Sequence, residues 1–271
     1  MTTAEWKAFE KECVEYLNKA YTPTKQCTFT LNGGSDSTAS DIVVKTKSGN
    51  TFNIEAKMPA AQAGQFVLFP NEKERIFEYS DRNRSPKNSI AEKIVECMTS
   101  DYNTYCNPKT KGIELDLPVS LMFDWVKDYY STVKQTRYFI TQYDNEFVIM
   151  PVEKIDKYFD ISGTYRVKKS GSCCPSPNNV QEIEQILKEE GLESGTPLFK
   201  DDECQVFIQS NCPDTFMLAG TSYRYKFNNI KGNIYGIRRL SNTANANVIF
   251  SLTAKTPQQK ADLEQFENDL L

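Results

Sequence analysis

Residues 41–57, DIVVKTKSGNTFNIEAK, contain two short apolar runs, IVV and FNI, joined across Lys47-Ser48-Gly49-Asn50. Runs of this length bounded by Gly, Ser and Asn read as strand, turn and strand. Just upstream, AEWKAFEKECVEYLNKA (residues 4–20) sets Trp6, Phe9, Cys13, Tyr16, Leu17 and Ala20 at helical spacing, with Thr2 or Thr3 available as a cap. An amphipathic helix followed by a half-buried strand pair commits the chain to packing helix on sheet, an α+β or mixed α/β arrangement.

The rest of the sequence extends this pattern. PAAQAGQ (59–65) reads as a turn or short helical piece and FVLF (66–69) as a strand, and residues 71–135 are mostly helical in character, with SIAEKIVECM and LMFDWVKDYYSTV the clearer segments. RYFITQYDNEFVIMPV is a hairpin candidate turning at Asp144-Asn145. A Ser/Gly/Pro-rich stretch around 163–179 leads to the helix VQEIEQILKEEG, four further strands and an acidic terminal helix from about Pro257. The expected organisation is a core over 1–160 with a helical insertion and a strand-rich region over 161–271, which could also form one continuous domain, with a weak boundary near 191–203.

Composition narrows the chemistry. Among 271 residues there is no histidine, which excludes Ser/His/Asp and Cys/His nucleophiles, histidine-held zinc and histidine general bases. Hydrolysis by this chain has to run on carboxylates, lysine, tyrosine or a metal ion. Neither a GxGxxG nor a GxxxxGK[ST] cradle is present. The eight cysteines lack CxxC spacing and are expected as reduced, buried thiols. No basic-then-apolar leader and no run approaching the roughly 18 apolar residues of a membrane helix is seen, so the expected location is the cytoplasm. A net charge of −4 decides little, because a local basic surface can bind a polyanion on an acidic protein.

Against that background the charges of the opening stretch stand out. Strand alternation sends Glu55 and Lys57 to one side with the carbonyl of Ala56 between them, and the turn brings Asp41 alongside. Converging carboxylates repel one another until a cation relieves them, and an all-oxygen set favours Mg²⁺. A lysine beside that ion can orient water and stabilise charge on a phosphate. The bland reading is a surface hairpin with an ordinary Glu/Lys pair.

These residues resemble the PD-(D/E)xK nuclease superfamily, which includes type II restriction endonucleases and resolvases. The resemblance rests on FE at 9–10, GGSDSTASDI at 33–42, IEAK at 54–57 and the glutamines that follow, about a quarter of the chain; Ser40 stands where the motif's proline would be. It implies a restriction-endonuclease-like core, a central mixed sheet flanked by helices. It also implies that Asp41 and Glu55 hold metal, that Lys57 supports the attacking water, that Glu10 completes the site from the first helix, and that Gln62 and Gln65 lie near metal or phosphate.

A minimal nuclease core is much shorter than this chain, and the surplus is expected to read DNA. The candidates are Arg166, Lys168 and Lys169 in YRVKKSGS, and Arg224, Lys226, Arg238 and Arg239 in YRYKFNNIKGNIYGIRRL, where alternation puts Arg224 and Lys226 opposite Tyr223, Tyr225 and Phe227. The leading expectation is a Mg²⁺-dependent type II restriction endonuclease acting on double-stranded DNA as a homodimer, with a DNA methyltransferase of the same specificity as its cellular partner. The alternatives are a structure-selective nuclease of resolvase or repair type, and a non-catalytic nucleic-acid-binding protein.

Overall fold

A computed structural model describes residues 3–32, 39–108, 110–169, 173–200, 203–209, 212–221, 223–241 and 244–271. Gly33-Gly34-Ser35-Asp36 of the motif stretch lie outside them. The chain forms two compact units, residues 1–166 with 246–271, and residues 167–245. Set beside the expected division at 160/161, the grouping of the compact units falls at 166/167, and residues 246–271 return to the first unit. The cause is a long-range strand pairing described below. Among the described residues no helix is long and apolar enough to cross a membrane.

The first unit opens with α1 (Thr3–Lys25), followed by β1 (Thr28–Leu31), β2 (Ile42–Lys45) and β3 (Thr51–Ala56), an antiparallel meander. β3 then pairs in parallel with β7 (Thr136–Tyr143), and β7 pairs antiparallel with β8 (Glu146–Pro151). The β7–β8 turn has positive φ at both Asp144 and Asn145, a conformation these two residue types tolerate. The resulting sheet, β1-β2-β3-β7-β8, is mixed as expected. One face packs on α1 and on α7 (Lys260–Asp269) through Phe9, Cys13, Leu17, Phe266 and the sheet residues Ile42, Ile54 and Ile140. Trp6 and Ala20, expected on the same helix face, are exposed instead. The Asn18 amide fixes α1 to the sheet edge, donating to Phe29 O at 2.8 Å and accepting from Phe29 N at 3.2 Å.

Between β3 and β7 the chain builds a second sheet with its helices: β4 (Ala60–Asn71), β5 (Ile76–Tyr79), α2 (Ser89–Ser100), α3 (Tyr102–Tyr105), β6 (Ile113–Glu114) and α4 (Val119–Asp128). After β8 come α5 (Ile155–Tyr158) and β9 (Phe159–Lys169). The sheet order is β5-β4-β15-β9-β6, where β15 (Ala244–Ala254) supplies the distant central strand that draws the C-terminus back. PAAQAGQ is not a turn or helix: residues 60–65 are the first half of the twelve-residue strand β4. Partnership with β15 overrides the weak β preference of Ala and Gln.

β4 carries an extra residue. Phe250 pairs with Gly64 but Ser251 pairs with Gln62, so Ala63 is bulged. The bulge turns both Ala63 and Phe66 into the core and leaves Gln62 and Gln65, three residues apart, on one exposed side, where their side chains hydrogen-bond at 3.0 Å. Trp125 of α4 packs beneath it between Phe66 and Phe250, at centroid distances of 5.2 and 5.1 Å.

The second unit is a separate antiparallel sheet ordered β10-β11-β14-β13-β12: β10 (Leu198–Lys200), β11 (Glu203–Phe207), β12 (Thr215–Ala219), β13 (Tyr223–Lys231) and β14 (Ile234–Ser241). The helix α6 (Val180–Glu189) covers one face through Ile183, Ile186 and Leu187 on Val206, Tyr225 and Phe227. All eight cysteines are free thiols, but only Cys13, Cys27 and Cys204 are buried, a partial departure from expectation.

A Cβ added at Gly64 would stand 2.5 Å from Cζ3 of Trp125, a core ring that has no room to retreat. Gly64→Ala is therefore expected to cost about 1–3 kcal/mol in urea unfolding, the usual range for overpacking. A variant as stable as the parent would show that the bulge tolerates a side chain.

Candidate active site

Glu55 lies on β3 with Ile54 and Ala56, whose side chains go into the α1 face of the sheet, so its own carboxylate points the other way. It is 1% exposed, too buried for an unpaired carboxylate. Two lysines answer it. Lys57 Nζ donates to Glu55 Oε1 at 2.6 Å, and Lys134 Nζ reaches both oxygens, at 2.7 Å to Oε1 and 2.6 Å to Oε2. Strand alternation identifies Lys57, whereas Lys134, 79 residues from its partner, carries no mark in the sequence.

Lys134 arrives by way of a π-helical turn, Tyr129–Val133, that continues α4, the N–H of Lys134 donating to Tyr129 O at 3.2 Å. Such turns shift the side chains that follow them and recur at functional sites. Its placement is fixed from below by Ser40, whose buried hydroxyl donates to Lys134 O at 2.9 Å and shares a hydrogen bond with Thr136 Oγ1 at 2.6 Å. The serine at the motif's proline position thus has a local task. The ring of Tyr130 lies under both ammonium groups, 5.4 Å from Lys57 Nζ and 5.2 Å from Lys134 Nζ.

Asp41 immediately precedes β2, and its Oδ2 accepts from the backbone N–H of Ala56 at 3.0 Å, which brings it to the end of β3 beside Glu55. Glu10 follows the core residue Phe9 on α1 and is half-buried at the rim of the same cleft. Gln62 and Gln65 line it as well, so every residue expected near the chemistry is brought together in one cavity of about 660 Å³. Arg82, Asn83 and Arg84, which sequence reasoning does not single out, line it too. Asn83 holds this loop to β4 by accepting from Val67 N at 2.7 Å and donating to Val67 O at 2.9 Å, in the manner of a paired strand residue.

The electrostatics follow from burial and spacing. Burial raises the Asp41 carboxyl, with repulsion from Glu55 adding to it, to about 6. Burial, then repulsion from Asp41 and Glu55, raises Glu10 to about 7. Burial also opposes the charge on Glu55, but Lys57 and Lys134 outweigh it and hold this carboxyl below its usual range. Burial opposes the Lys57 ammonium too, yet Glu55, Tyr130 and Asp41 keep it well above its ordinary value, so Lys57 is a cation here and acts as a hydrogen-bond donor. Among the described residues no group of three or more His, Cys, Asp or Glu side chains stands close enough to cage a metal. The donor set on offer is instead two carboxylates, Asp41 and Glu55, with Ala56 lining the same cleft and Glu10 at the rim. All are hard oxygen donors, and burial, with the mutual repulsion that adds to it in raising Asp41 and Glu10, is what a bound cation offsets, which fits Mg²⁺.

The outlying candidates sort differently. Along β13, Tyr225 and Phe227 are buried while Arg224 and Lys226 lie on the other face, as alternation requires. Lys226 stands directly opposite the exposed Arg238 of β14. Arg239 does not join them: it turns to the α6 side, stacks on Tyr223 with its guanidinium 4.3 Å from the ring centroid, and donates to Asn179 Oδ1 at 3.2 Å. Adjacent strand residues cannot share a face, so Arg238 and Arg239 do not form one patch. Arg166 is half-buried on β9. The side chains of Lys168 and Lys169 lie outside those described.

The chain is similar to the solved structure of HhaI endonuclease in complex with DNA, with a TM-score of 0.76 and 37% sequence identity over 98% of this chain and 98% of that one. No family model and no curated protein matches the sequence.

Both raised carboxyls bind protons more readily in the folded protein than in the unfolded chain. Between their ordinary values, 3.8 and 4.5, and their folded values, about 6 and about 7, they therefore make the metal-free protein less stable as pH rises. Asp41→Asn removes one of the two groups, so in chelator its melting temperature should fall less steeply than the parent's up to pH about 6. Parallel slopes in parent and variant would count against a raised Asp41.

Proposed function

The chain belongs to the family of HhaI endonuclease, a likeness that spans nearly all of both proteins, and from that premise we propose that it is a Mg²⁺-dependent type II restriction endonuclease of the PD-(D/E)xK kind, cutting double-stranded DNA at a short specific sequence. The observation that carries the reading is the convergence of Asp41, Glu55, Lys57 and Glu10 in one cleft, together with a restriction-endonuclease-like fold.

In this reading Asp41, Glu55 and the Ala56 carbonyl would hold the Mg²⁺, with Glu10 assisting. Bound there, the ion supplies charge neutralisation at the phosphate and lowers the pKa of water. Lys57, a fixed ammonium directed by Glu55 and Tyr130, donates to the attacking water or to a phosphate oxygen. Gln62 and Gln65, held side by side by the β4 bulge, and Arg82 and Arg84, which line the same cleft, present the donors and acceptors that base edges and phosphates take. On the second unit, Lys226 and Arg238 stand directly opposite on neighbouring strands and concentrate positive charge there, which a phosphate backbone complements. Arg166, Arg224, Lys168 and Lys169 are proposed as further DNA contacts.

A single cleft cuts one strand at a time, so a two-fold homodimer would set one on each strand of a palindrome. A cutter of this kind works beside the DNA of its own cell, in the cytoplasm, and requires a methyltransferase of the same specificity to protect that DNA.

Incubation of plasmid and phage DNA with the protein and Mg²⁺, and again with chelator, tests the reading. Discrete fragments that vanish with chelator are expected; cutting of branched substrates alone would mean a structure-selective nuclease, and intact DNA throughout a binding protein. Asp41→Ala, Glu55→Ala and Lys57→Ala should each abolish cleavage while remaining folded, and full activity in a folded Asp41 or Glu55 variant would remove the site assignment. Supercoiled plasmid should pass directly to linear product if a dimer acts, whereas sustained nicked circles would mean one chain cutting in succession.

Cutting and holding should also separate. Lys57→Ala should bind cognate duplex as the parent does in Ca²⁺. Lys226→Ala and Arg238→Ala should weaken all sequences alike and reduce the slope of log affinity against log salt by about 0.9 for each phosphate no longer neutralised. Unchanged slopes in both variants would return this face to an ordinary solvated role.

A further inference from the structure

Two ammonium groups on one buried carboxylate is more positive charge than Glu55 requires, and they are not equivalent. Lys57 touches Oε1 alone, whereas Lys134 spans both oxygens at 2.7 and 2.6 Å and is itself only 8% exposed. Several features hold it there. The π-helical turn delivers it, the Ser40 hydroxyl holds its carbonyl, Thr136 Oγ1 holds Ser40, and the Tyr130 ring lies under its ammonium. A lysine needed only for packing would not have to bracket the carboxylate on which the cleft's chemistry centres.

We propose that Lys134 is a tethered counter-cation for Glu55, a positioning residue that keeps the carboxylate in place while no divalent ion is bound and weakens metal binding by engaging the same oxygens. The inference rests on the reading that Glu55 and Asp41 hold a divalent ion. With Lys134 in place, three acids (Glu10, Asp41, Glu55) face two lysines; without it they face Lys57 alone. A neighbouring like charge in a partly dehydrated site changes cation affinity by about tenfold or more. Lys134 thus exchanges metal affinity for a cleft that is assembled before metal and DNA arrive.

The test compares the parent with Lys134→Met, which keeps an unbranched apolar stem of nearly the same length without the charge, in the absence of DNA and with Ca²⁺ as the probe. Melting temperatures are measured in chelator and across a Ca²⁺ series, and Ca²⁺ binding is titrated by calorimetry. The expected result is that Lys134→Met melts lower than the parent in chelator, gains more from Ca²⁺ than the parent does, and binds Ca²⁺ about tenfold more tightly. A lysine that merely fills the core would lower the melting temperature by the same amount at every Ca²⁺ concentration, and that outcome, or unchanged or weaker Ca²⁺ binding, overturns the proposal while leaving the metal reading intact. Absence of Ca²⁺ binding by parent and variant alike overturns the metal reading and this inference with it. Should Lys134→Met fail to fold even in Ca²⁺, Lys134→Gln, which keeps a donor for Glu55 without the charge, carries the same comparison with the same outcomes.

Discussion

A carboxylate that is 1% exposed is the constraint around which the first unit is arranged. Taking such a group out of water is unfavourable by several kcal/mol unless charge and hydrogen bonds meet it, and removing a partner from a buried pair is worse than never having built it. Glu55 is met from two directions. Lys57 comes from its own strand two residues on, and Lys134 from the far side of a parallel crossover that includes β4, β5, β6 and three helices. The parallel pairing of β3 with β7 is what makes the second partner available, because it sets Thr136, two residues after Lys134 and the π-helical turn, against Asn53, two residues before Glu55. Asp41, Ser40 and Tyr130 then each fix one member of the group, so that acid, amine and ring hold one another in place.

The same economy shapes the cleft's wall. A regular strand would have sent Gln62 and Gln65 to opposite faces, one into the core. The single extra residue at Ala63 resets the alternation, burying Phe66 and Leu68 while keeping both glutamines outward and in contact. Gly64 permits this by letting Trp125 approach the backbone where a side chain would block it. A packing requirement of the core and a presentation requirement of the surface are thereby met by one local irregularity, which is the common use of bulges near sites.

What is legible in the sequence is what lies close along the chain. The i, i+2 relation of Glu55 and Lys57, the acid just before β2, the α1 face and the Asp-Asn hairpin all follow from strand and helix periodicity, and the structure has each of them. Lys134 and Tyr130 are not legible, because their place depends on a crossover and on a π turn that shifts every later side chain out of helical register. FVLF is read correctly as the second half of β4, but the first half escapes the reading since Ala, Gln and Gly carry no strand signal by themselves; only pairing with β15, almost two hundred residues away, makes that segment a strand. The division into units departs from expectation for the same reason, since β15 carries the C-terminus back across it. Arg82 and Arg84 sit in a polar loop whose mark in the sequence is charge alone, and their position depends on the Asn83 bonds to β4. Arg239 parts from Arg238 because strand geometry allows only one of two neighbours on each face.

The second unit shows why whole-chain charge is a poor guide. Acids outnumber bases by 36 to 32, yet β13 and β14 place Lys226 directly across from Arg238 on the face that α6 does not cover. Like charges facing each other across a ladder destabilise a sheet, and stability alone would be served by an acid or a neutral residue at either position. The inner face shows the contrasting solution: Arg239 is stacked on Tyr223 and bonded to Asn179, and Glu182 accepts from the Tyr225 hydroxyl, so polar groups there are matched within the unit. Lys226 and Arg238, in register on the face that α6 leaves uncovered, place positive charge where a polyanion can meet it. The acids of the first unit's cleft concentrate the opposite charge, to which a cation is the complement. Each unit thereby carries a local charge of its own, and a single net figure averages the two away.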